Sequence, residues 1–485
     1  MTEHQVVIVG AGPTGLMLAG ELKLAGIDVV IIERRANQHV DGSRARGLHS
    51  RAVEVLDQRG IADRFISEGQ QHPSVGFGGI SLDISDFPTR HNYLLALLQS
   101  KFEPILADWV GELGVPIIRS REVTSFTQDD SGVTIEVSDG QSLRADYLVG
   151  CDGGRSLIRK IAGIDFPGLD ASISYIIAEV KMDEEPAFGT RPEGGGIGKA
   201  ADGESIGVVL SEKAVKHADE PSMDELREAL ISTYGTDFGL RSINWISRFS
   251  DATRQAASYR NGRVLLAGDA AHIHPPQGGQ GLGTSIQDAV NLGWKLAQVV
   301  NKTSPESLLD SYYAERYPVS ARVLQNTRAQ IVLSKPDGQH AALREIMAEL
   351  LGMDEPRKYI VGMLSGLDIH YDLGAGHPLL GRRMPDLDLQ IADGPTRVFS
   401  LLHDAKAVLL NLGEADGFDI SAWSNRVRLV TATYEGTWEL PVLGEVTSPS
   451  AVFIRPDGYV AWTGHVADPE LPQVLTTWFS VATTA

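Results

Sequence analysis

QVVIVGAGPTGLMLAG, residues 5–20, places a β-branched run, three glycines in GxGxxG spacing and an apolar helical pattern in that order. This order predicts a buried strand, a tight glycine turn and a helix. In such a unit the first glycine permits the turn, the second lets the backbone approach a pyrophosphate, and the third packs helix against strand. The helix then presents unpaired N–H groups and a favourable dipole to the phosphates. A second strand, DVVIIE, ends at Glu33. An acid about twenty residues beyond the glycines is placed to bond ribose hydroxyls, which points to an unphosphorylated ribose as in NAD or the AMP half of FAD.

Beyond Glu33 the segment RRANQHVDGSRARGLHSRAVEVLDQRG carries six arginines between Arg34 and Arg59. Two readings stand: a solvated loop and helix face, or a local anion site around Arg44 and Arg46. Residues 92–113 read as one helix, with Leu94, Leu97, Leu98, Phe102, Ile105, Leu106, Trp109 and Leu113 on one broad face and Gln99 beside them. VTSFTQDD and GVTIEVSDG alternate as an antiparallel hairpin, and RADYLVGCDGGRSLIRKIAG reads as strand, turn, helix. Cys151 ends an apolar strand, where a small buried thiol is the plainer reading than a nucleophile. Asp152, Arg155 and Arg159 read either as a helix cap with an ion pair or as a second nucleotide contact. From about 172 to 262 the strands ISYIIAEVKM, SIGVVLSEK and NWISRFSDA, with the helix PSMDELREALISTYG and a loop or hairpin tip RPEGGGIGKAADG, interrupt the nucleotide unit. Such an insertion can supply a sheet facing a substrate pocket.

RVLLAGDAAHIHPPQGGQGLGTSIQDAVNLGWKLAQVV, residues 263–300, repeats the logic of the opening stretch without its spacing. An acid, Asp269, follows a strand, glycines allow close backbone approach, and a helix N-terminus points back at a ligand. His272 and His274 have HxH spacing, but Asp269 is the sole further candidate ligand in the loop, so no metal site is expected.

Length, charge and composition bound the remainder. The 485 residues suffice for about two to four domains. A net charge of -20 argues against a broad nucleic-acid surface. A single cysteine excludes an intrachain disulfide, a Cys-based zinc cluster or a CxxC centre, and fits a reducing, cytoplasmic setting. The residues before the first apolar run lack Lys and Arg, against a signal peptide. No run reaches the ~20 apolar residues of a membrane span.

The three motifs together, GAGPTG, CDGGRS and GDAAHIHPPQGGQGLGTSIQDAVNLGWKL, resemble the class A FAD-dependent aromatic monooxygenases, the group of p-hydroxybenzoate hydroxylase. SRARGLHSRAVEVLDQRG, GTDFG, SRFSDATRQA, LLDSYYAER and YDLGAGHPLLGRRMP are similar to the branch that hydroxylates polyketide antibiotics, including angucycline hydroxylases and rifamycin monooxygenases. The resemblance implies an α/β fold. A Rossmann-like FAD-binding domain (1–175 and 263–372) would carry an inserted β-sheet substrate domain (176–262) and a C-terminal thioredoxin-like domain (373–485) without redox cysteines.

For the site it implies that Gly10, Gly12, Thr14 and Gly15 hold the pyrophosphate and Glu33, beside Arg34, the adenosine ribose. Arg46 would contact the FAD phosphate or ribityl region, with Arg44 beside it meeting flavin or NADPH. Gln99 and Asp269 would bond the ribityl chain, and Gly281, Leu282 and Gly283 the isoalloxazine edge. Val123 would lie by adenine and Pro276 by the ring, while Asp152 and Arg159 belong to the motif linked with FAD and NADPH. Gly283 departs from the Asn common at that position in the family.

The implied activity is hydroxylation of a polycyclic aromatic or naphthoquinone-type polyketide through a C4a-hydroperoxyflavin. FAD is the cofactor, NADPH or NADH the electron donor, and O2 the oxidant. No catalytic side chain is identified, and a monomer or homodimer is expected. Two alternatives are Baeyer-Villiger-type oxygenation of the same substrate class and a non-catalytic binding protein of the GDP-dissociation-inhibitor-like fold.

Overall fold

The computed structural model describes residues 2–40, 42, 45–191, 195–200, 204–212, 214–216, 220–335, 338–413, 417–466 and 468–480. The nucleotide unit contains β1 (Thr2–Val9), α1 (Pro13–Leu24), β2 (Val29–Glu33), α2 (Ser50–Asp57), β3 (Leu94–Ala96), α3 (Gln99–Glu112), β4 (Ile117–Arg119), β5 (Val123–Asp129), β6 (Gly132–Val137), β7 (Ser142–Gly150) and α4 (Leu157–Ile161). The inserted unit contains β8 (Ser174–Met182), β9 (Gly195–Lys199), β10 (Ile206–Ser211), α5 (Met223–Tyr234) and β11 (Leu240–Ser250). The chain then returns through β12 (Val264–Leu266), α6 (Gly281–Val300) and α7 (Asp310–Leu333).

The central sheet runs β12-β7-β1-β2-β4, all parallel. Val29, Val30, Ile31 and Ile32 of β2 are at most 2% exposed, as expected for a parallel strand covered on both faces. On its edge away from β1, β7 serves two partners. Its first half pairs antiparallel with β6 of the β5–β6 hairpin, and its last three residues pair with β12. The ends of β1, β7 and β12 therefore lie side by side, and each of the three motifs begins at one of them. Ligands of open α/β sheets bind at such carboxyl ends.

Two elements depart from the sequence expectation. Residues 92–98 are not helical: Leu94–Ala96 form β3, bridging Gly47–Leu48 and Gln70–His72, and the helix starts only at Gln99 after an extended Leu98. Long-range strand pairing overrides a spacing that also fits a helix. Part of the glycine-rich loop is likewise a strand, β9, laddered to β10; residues 192–194 and 201–203 of it lie outside the described residues.

The inserted sheet has the order β9-β10-β8-β11, with a short strand Gly189–Arg191 beyond β9. α5 covers one face through Leu226 and Leu230, packed on Ile176, Ala178, Val180, Val208 and Leu210. A capping box sets its start: Ser222 accepts the Glu225 amide, and Glu225 accepts the Ser222 amide at 2.8 Å. Gly235, at φ 79°, ends it.

The C-terminal unit contains β13 (Ala407–Asn411), β14 (Val427–Thr431), β15 (Ala451–Ile454), β16 (Val460–Gly464) and α8 (Leu471–Phe479). Its sheet order is β14-β13-β15-β16, with one parallel and two antiparallel pairings, as expected of a thioredoxin-like sheet. It docks on the nucleotide unit through charges withdrawn from water. Arg455 gives two hydrogen bonds to Glu315 of α7 (2.6 and 2.8 Å) and two to Asp457 (3.1 and 2.5 Å). Lys295 of α6 joins at Glu315, 2.9 Å away. Among the described residues, no helix is long and apolar enough to cross a membrane.

Candidate functional site

The three glycines of the first motif have different reasons to be glycine. A Cβ on Gly10, whose φ is +105°, would lie 2.5 Å from the Cys151 carbonyl oxygen, and one on Gly15 would overlap the Gly10 carbonyl. A Cβ on Gly12 meets no described atom within 4 Å. The first and third glycines are thus demanded by the chain itself. The second leaves open space at the start of α1, where the first amide bonded inside the helix is that of Leu16.

Glu33 is buried and ties the turn to β2, accepting the Ala11 amide at 2.6 Å and the Arg35 amide at 2.8 Å. Behind it lies a cluster that the sequence does not announce. Glu103 of α3 accepts from Arg35 (2.9 Å), Gln38 (2.7 Å) and Gln99 (2.6 Å), while Arg35 and Gln38 also donate to the Ala11 carbonyl. Gln99 is also held by its backbone, bonded to Ala45 O, and Leu97 N bonds to Arg46 O. Gln99 and Arg46 are therefore brought together at the glycine turn. Arg34 is exposed at the end of β2, and Arg44 lies outside the described residues. Of the remaining arginines in the run, Arg51 and Arg59 are buried and structural: Arg59 pairs with Glu21, and Arg51 bonds Glu54 and the Gly366 carbonyl.

In the second motif Asp152 Oδ2 accepts the Leu157 and Ile158 amides at 2.7 and 3.2 Å, capping α4, while Oδ1 is buried without a partner. The Arg159 guanidinium donates to the Ala270 carbonyl (2.7 Å) and the Gly154 carbonyl (3.0 Å), and lies 3.6 Å from the Phe166 ring centre. Arg159 therefore staples the second motif to the third. Val123 is buried at the start of β5. Burial pushes the Cys151 thiol well up, consistent with an inert side chain.

In the third motif Gly268 has φ +61°, and a Cβ there would overlap Thr14 Oγ1, so this turn presses directly on the first motif. Asp288 of α6 fixes the turn from below, receiving the Gly268 amide at 3.3 Å, His272 Nε2 at 2.7 Å and Arg316 Nε at 2.7 Å. Burial alone would raise its carboxyl, but Arg316 and His272 hold it below the usual range. His272 is thus a clamp, and no cluster of potential metal ligands occurs among the described residues. His274, pushed down by burial, donates to Pro275 O. Asp269 and Pro276 are exposed beside the turn.

α6 begins at Gly281, and its first intrahelical amide is that of Thr284, leaving the amides of Gly281, Leu282 and Gly283 at its open end. A Cβ on Gly283 would sit 3.5 Å from Ala52 of α2, ordinary contact. His49, at the start of α2, reaches Gly278 O at 2.7 Å and closes the glycine loop. Asp288, Arg316, His49 and Glu103 escaped the sequence reading. A carboxylate amid the apolar run of α6 was the one visible anomaly.

Across from these loops stands the uncovered face of the inserted sheet. Tyr175 and Phe249 stack on it at 5.0 Å. Trp245 abuts Gly42, and Arg46 Nη2 lies 3.9 Å from the Cβ position of Gly207, so the arginine loop lies against this face. The donor set suits a dinucleotide with a polyol linker: free amides at two helix starts, an open glycine, and the exposed carboxylate of Asp269 between them.

Comparison with known proteins agrees with this geometry. Residues 3–327 match the family described as FAD binding domain, and residues 377–482 match the aromatic-ring hydroxylase C-terminal family. A 12-dehydrotetracycline 5-monooxygenase/anhydrotetracycline 6-monooxygenase of Streptomyces rimosus is 43% identical, covering 98% of this chain and 99% of its own. A rifampicin monooxygenase of Streptomyces venezuelae is 41% identical over 99% of both chains. The solved structure of an aromatic hydroxylase from angucycline biosynthesis superposes with a TM-score of 0.91 at 39% identity, over 99% of this chain and 100% of that one.

Proposed function

Because this chain belongs to the FAD-dependent aromatic-ring hydroxylases, the class A flavin monooxygenases, we propose that it hydroxylates a polycyclic aromatic polyketide. When bound, FAD supplies two-electron reduction by NAD(P)H and the activation of O2. The chain supplies position, shielding and charge.

In this reading the amides of Gly12, Thr14 and Gly15 hold the pyrophosphate, with the open Cβ position of Gly12 taken up by phosphate oxygen. Glu33 and Arg34 flank the adenosine ribose, Val123 the adenine, and Gln99, Arg46 and Asp269 the ribityl region. The amides of Gly281, Leu282 and Gly283 meet the electron-rich edge of the ring, and Pro276 borders its face. Asp152 and Arg159 act through the loops they hold. The substrate lies between the cofactor loops and the aromatic face of the inserted sheet, which excludes water from the reacting atoms.

The observation that carries the reading is the convergence of three loops, pinned to one another by Gly10–Cys151, Thr14–Gly268 and Arg159–Ala270 contacts. Full-length relatives acting on tetracycline and rifampicin skeletons carry the substrate class. The test is purification of the yellow holoprotein and NAD(P)H oxidation with anhydrotetracycline, rifampicin, an angucycline and a naphthoquinone, with products weighed by mass spectrometry. A gain of one oxygen atom, coupled to stimulated NAD(P)H consumption, is expected with at least one. Consumption that yields only hydrogen peroxide across the panel would overturn the substrate assignment.

A further inference from the structure

Glycine inside a strand weakens it, so a glycine there calls for a reason: a bulge, a left-handed backbone, or something approaching too closely for a side chain. The β9–β10 pair contains three informative cases. Gly195 has its reason within the chain, since a Cβ there would lie 2.7 Å from Thr233 and 3.0 Å from Tyr234 on α5. Gly198 and Gly207 do not. They are direct cross-strand partners in a ladder without a register shift, and neither has positive φ. A Cβ on Gly198 would meet nothing within 4 Å among the described residues, and one on Gly207 only the Gly198 carbonyl oxygen at 3.6 Å and Arg46 Nη2 at 3.9 Å.

The pair also sits on the face turned away from α5. The residues alternating with Gly207 along β10, namely Ile206 and Val208, point into the core under α5, and Ile197 of β9 joins them. Gly207 lies opposite Glu179, and Glu179 opposite Trp245, so a row Gly198–Gly207–Glu179–Trp245 crosses the sheet. Arg46 Nη2 stands 3.9 Å from the Cβ position of Gly207 within this row, and Gly42 abuts Trp245 at its far end. Among the described residues the result is a window without side chains beside the arginine loop, flanked by a cation, a carboxylate and an indole.

We infer that Gly198 and Gly207 form a flat seat for one face of a fused-ring ligand, and that they set how many rings the site admits. The inference rests on the proposed substrate class and adds to it the residues that select for breadth. A flat ring packs against bare backbone at van der Waals distance, and a branched side chain there would occupy the volume of the ring itself.

The test uses the FAD-loaded full-length protein and its Gly198→Val and Gly207→Val variants. Valine is favoured in strands, so these changes leave the sheet at least as stable. Gly76→Val, at an exposed position of the strand Ser74–Phe77 where a Cβ also meets nothing, controls for valine itself. Readouts are bound flavin, melting temperature, and dissociation constants for anhydrotetracycline and for the two-ring naphthoquinone juglone. The expected result is at least ~10-fold weaker anhydrotetracycline binding in both seat variants, with juglone binding and melting temperature unchanged, flavin content unchanged in Gly198→Val, whose Cβ stands clear of Arg46, and no effect of Gly76→Val. Unchanged anhydrotetracycline affinity in both seat variants, or an equal loss for both ligands, overturns the seat and leaves the substrate class standing. A wild-type protein that binds no multi-ring ligand of the polyketide panel overturns the substrate class and the seat together.

Discussion

Replacing each glycine of GAGPTG by alanine separates folding from cofactor binding, because the three positions meet different neighbours. At Gly12 the added methyl touches nothing among the described residues and stands where the proposed function puts the pyrophosphate. Its cost to the free protein is limited to the helix N-cap, where alanine is worse than glycine by about 0.5–1 kcal/mol. In a chain this long that shifts the melting temperature by about 2 °C at most. Its cost to binding is an overpacked contact worth roughly 1–3 kcal/mol, or about 5- to 150-fold in the FAD dissociation constant.

At Gly10 the order is reversed: the methyl strikes the Cys151 carbonyl oxygen in a backbone with φ +105°, so the free protein itself is destabilised. The assay is flavin-fluorescence titration of the apoproteins, with thermal melts of the same samples. Gly12→Ala should melt near wild type and bind FAD weakly, whereas Gly10→Ala should melt well below it. A Gly12→Ala protein that binds FAD within twofold of wild type, or that loses as much stability as Gly10→Ala, would refute the division of roles.

Arg455→Met leaves the two buried carboxylates of Glu315 and Asp457 facing the single charge of Lys295 in the domain interface and should cost about 3–5 kcal/mol in urea unfolding. Adding Glu315→Gln should recover about 1 kcal/mol or more by restoring charge balance; strict additivity would contradict the network. Glu315 is drawn down to about 2 because Arg455 and Lys295 outweigh its burial. Its folded value lies below its ordinary 4.5, so the stability it contributes is full above about pH 4.5 and lost as pH falls toward 2. Urea midpoints across that range should show a slope that Glu315→Gln flattens. Asp288→Asn leaves buried Arg316 without its counter-charge and loosens the Gly268 turn, so melting temperature and FAD affinity should fall together; a loss of neither would show that the clamp is dispensable. Native Cys151 should resist a thiol reagent until denaturant is added, and rapid native labelling would place it outside the core.

What was legible in the sequence was local. The strand–turn–helix of each motif, the β5–β6 hairpin and α5 follow from short-range pattern and capping, and they stand where expected. What was not legible depended on partners far along the chain. Leu94, Leu97 and Leu98 fit a helical face, yet Leu94–Ala96 become a strand because Gly47–Leu48 and Gln70–His72 come alongside. Arg51 and Arg59 looked like members of a solvated run. They are buried because the Gly366 and Leu402 carbonyls, more than 300 residues on, complete their hydrogen bonds. Glu103 gave no signal, since two of its three hydrogen-bond donors, Arg35 and Gln38, come from the loop after β2, and nothing in a helical spacing reports that.

The same long-range logic explains why a thioredoxin-like unit without a cysteine is joined to a cofactor domain. It can do no thiol chemistry, since the chain's one cysteine is Cys151. Its residues instead complete charges that originate under the cofactor loops. His272 and Gly268 bond Asp288, Asp288 bonds Arg316, and Arg316 Nη1 reaches the Tyr371 hydroxyl at 3.1 Å. Tyr371 stacks at 4.1 Å on Tyr459 of the C-terminal unit, next to Arg455. One residue before Arg316 on α7, Glu315 receives Arg455 itself. Adjacent residues of α7 thus serve the cofactor turn and the docking site. Detaching the C-terminal unit would leave Glu315 with Lys295 and Asn291 alone and remove the ring that packs on Tyr371, so the appendage is part of what holds α7 and the Asp269 turn in register.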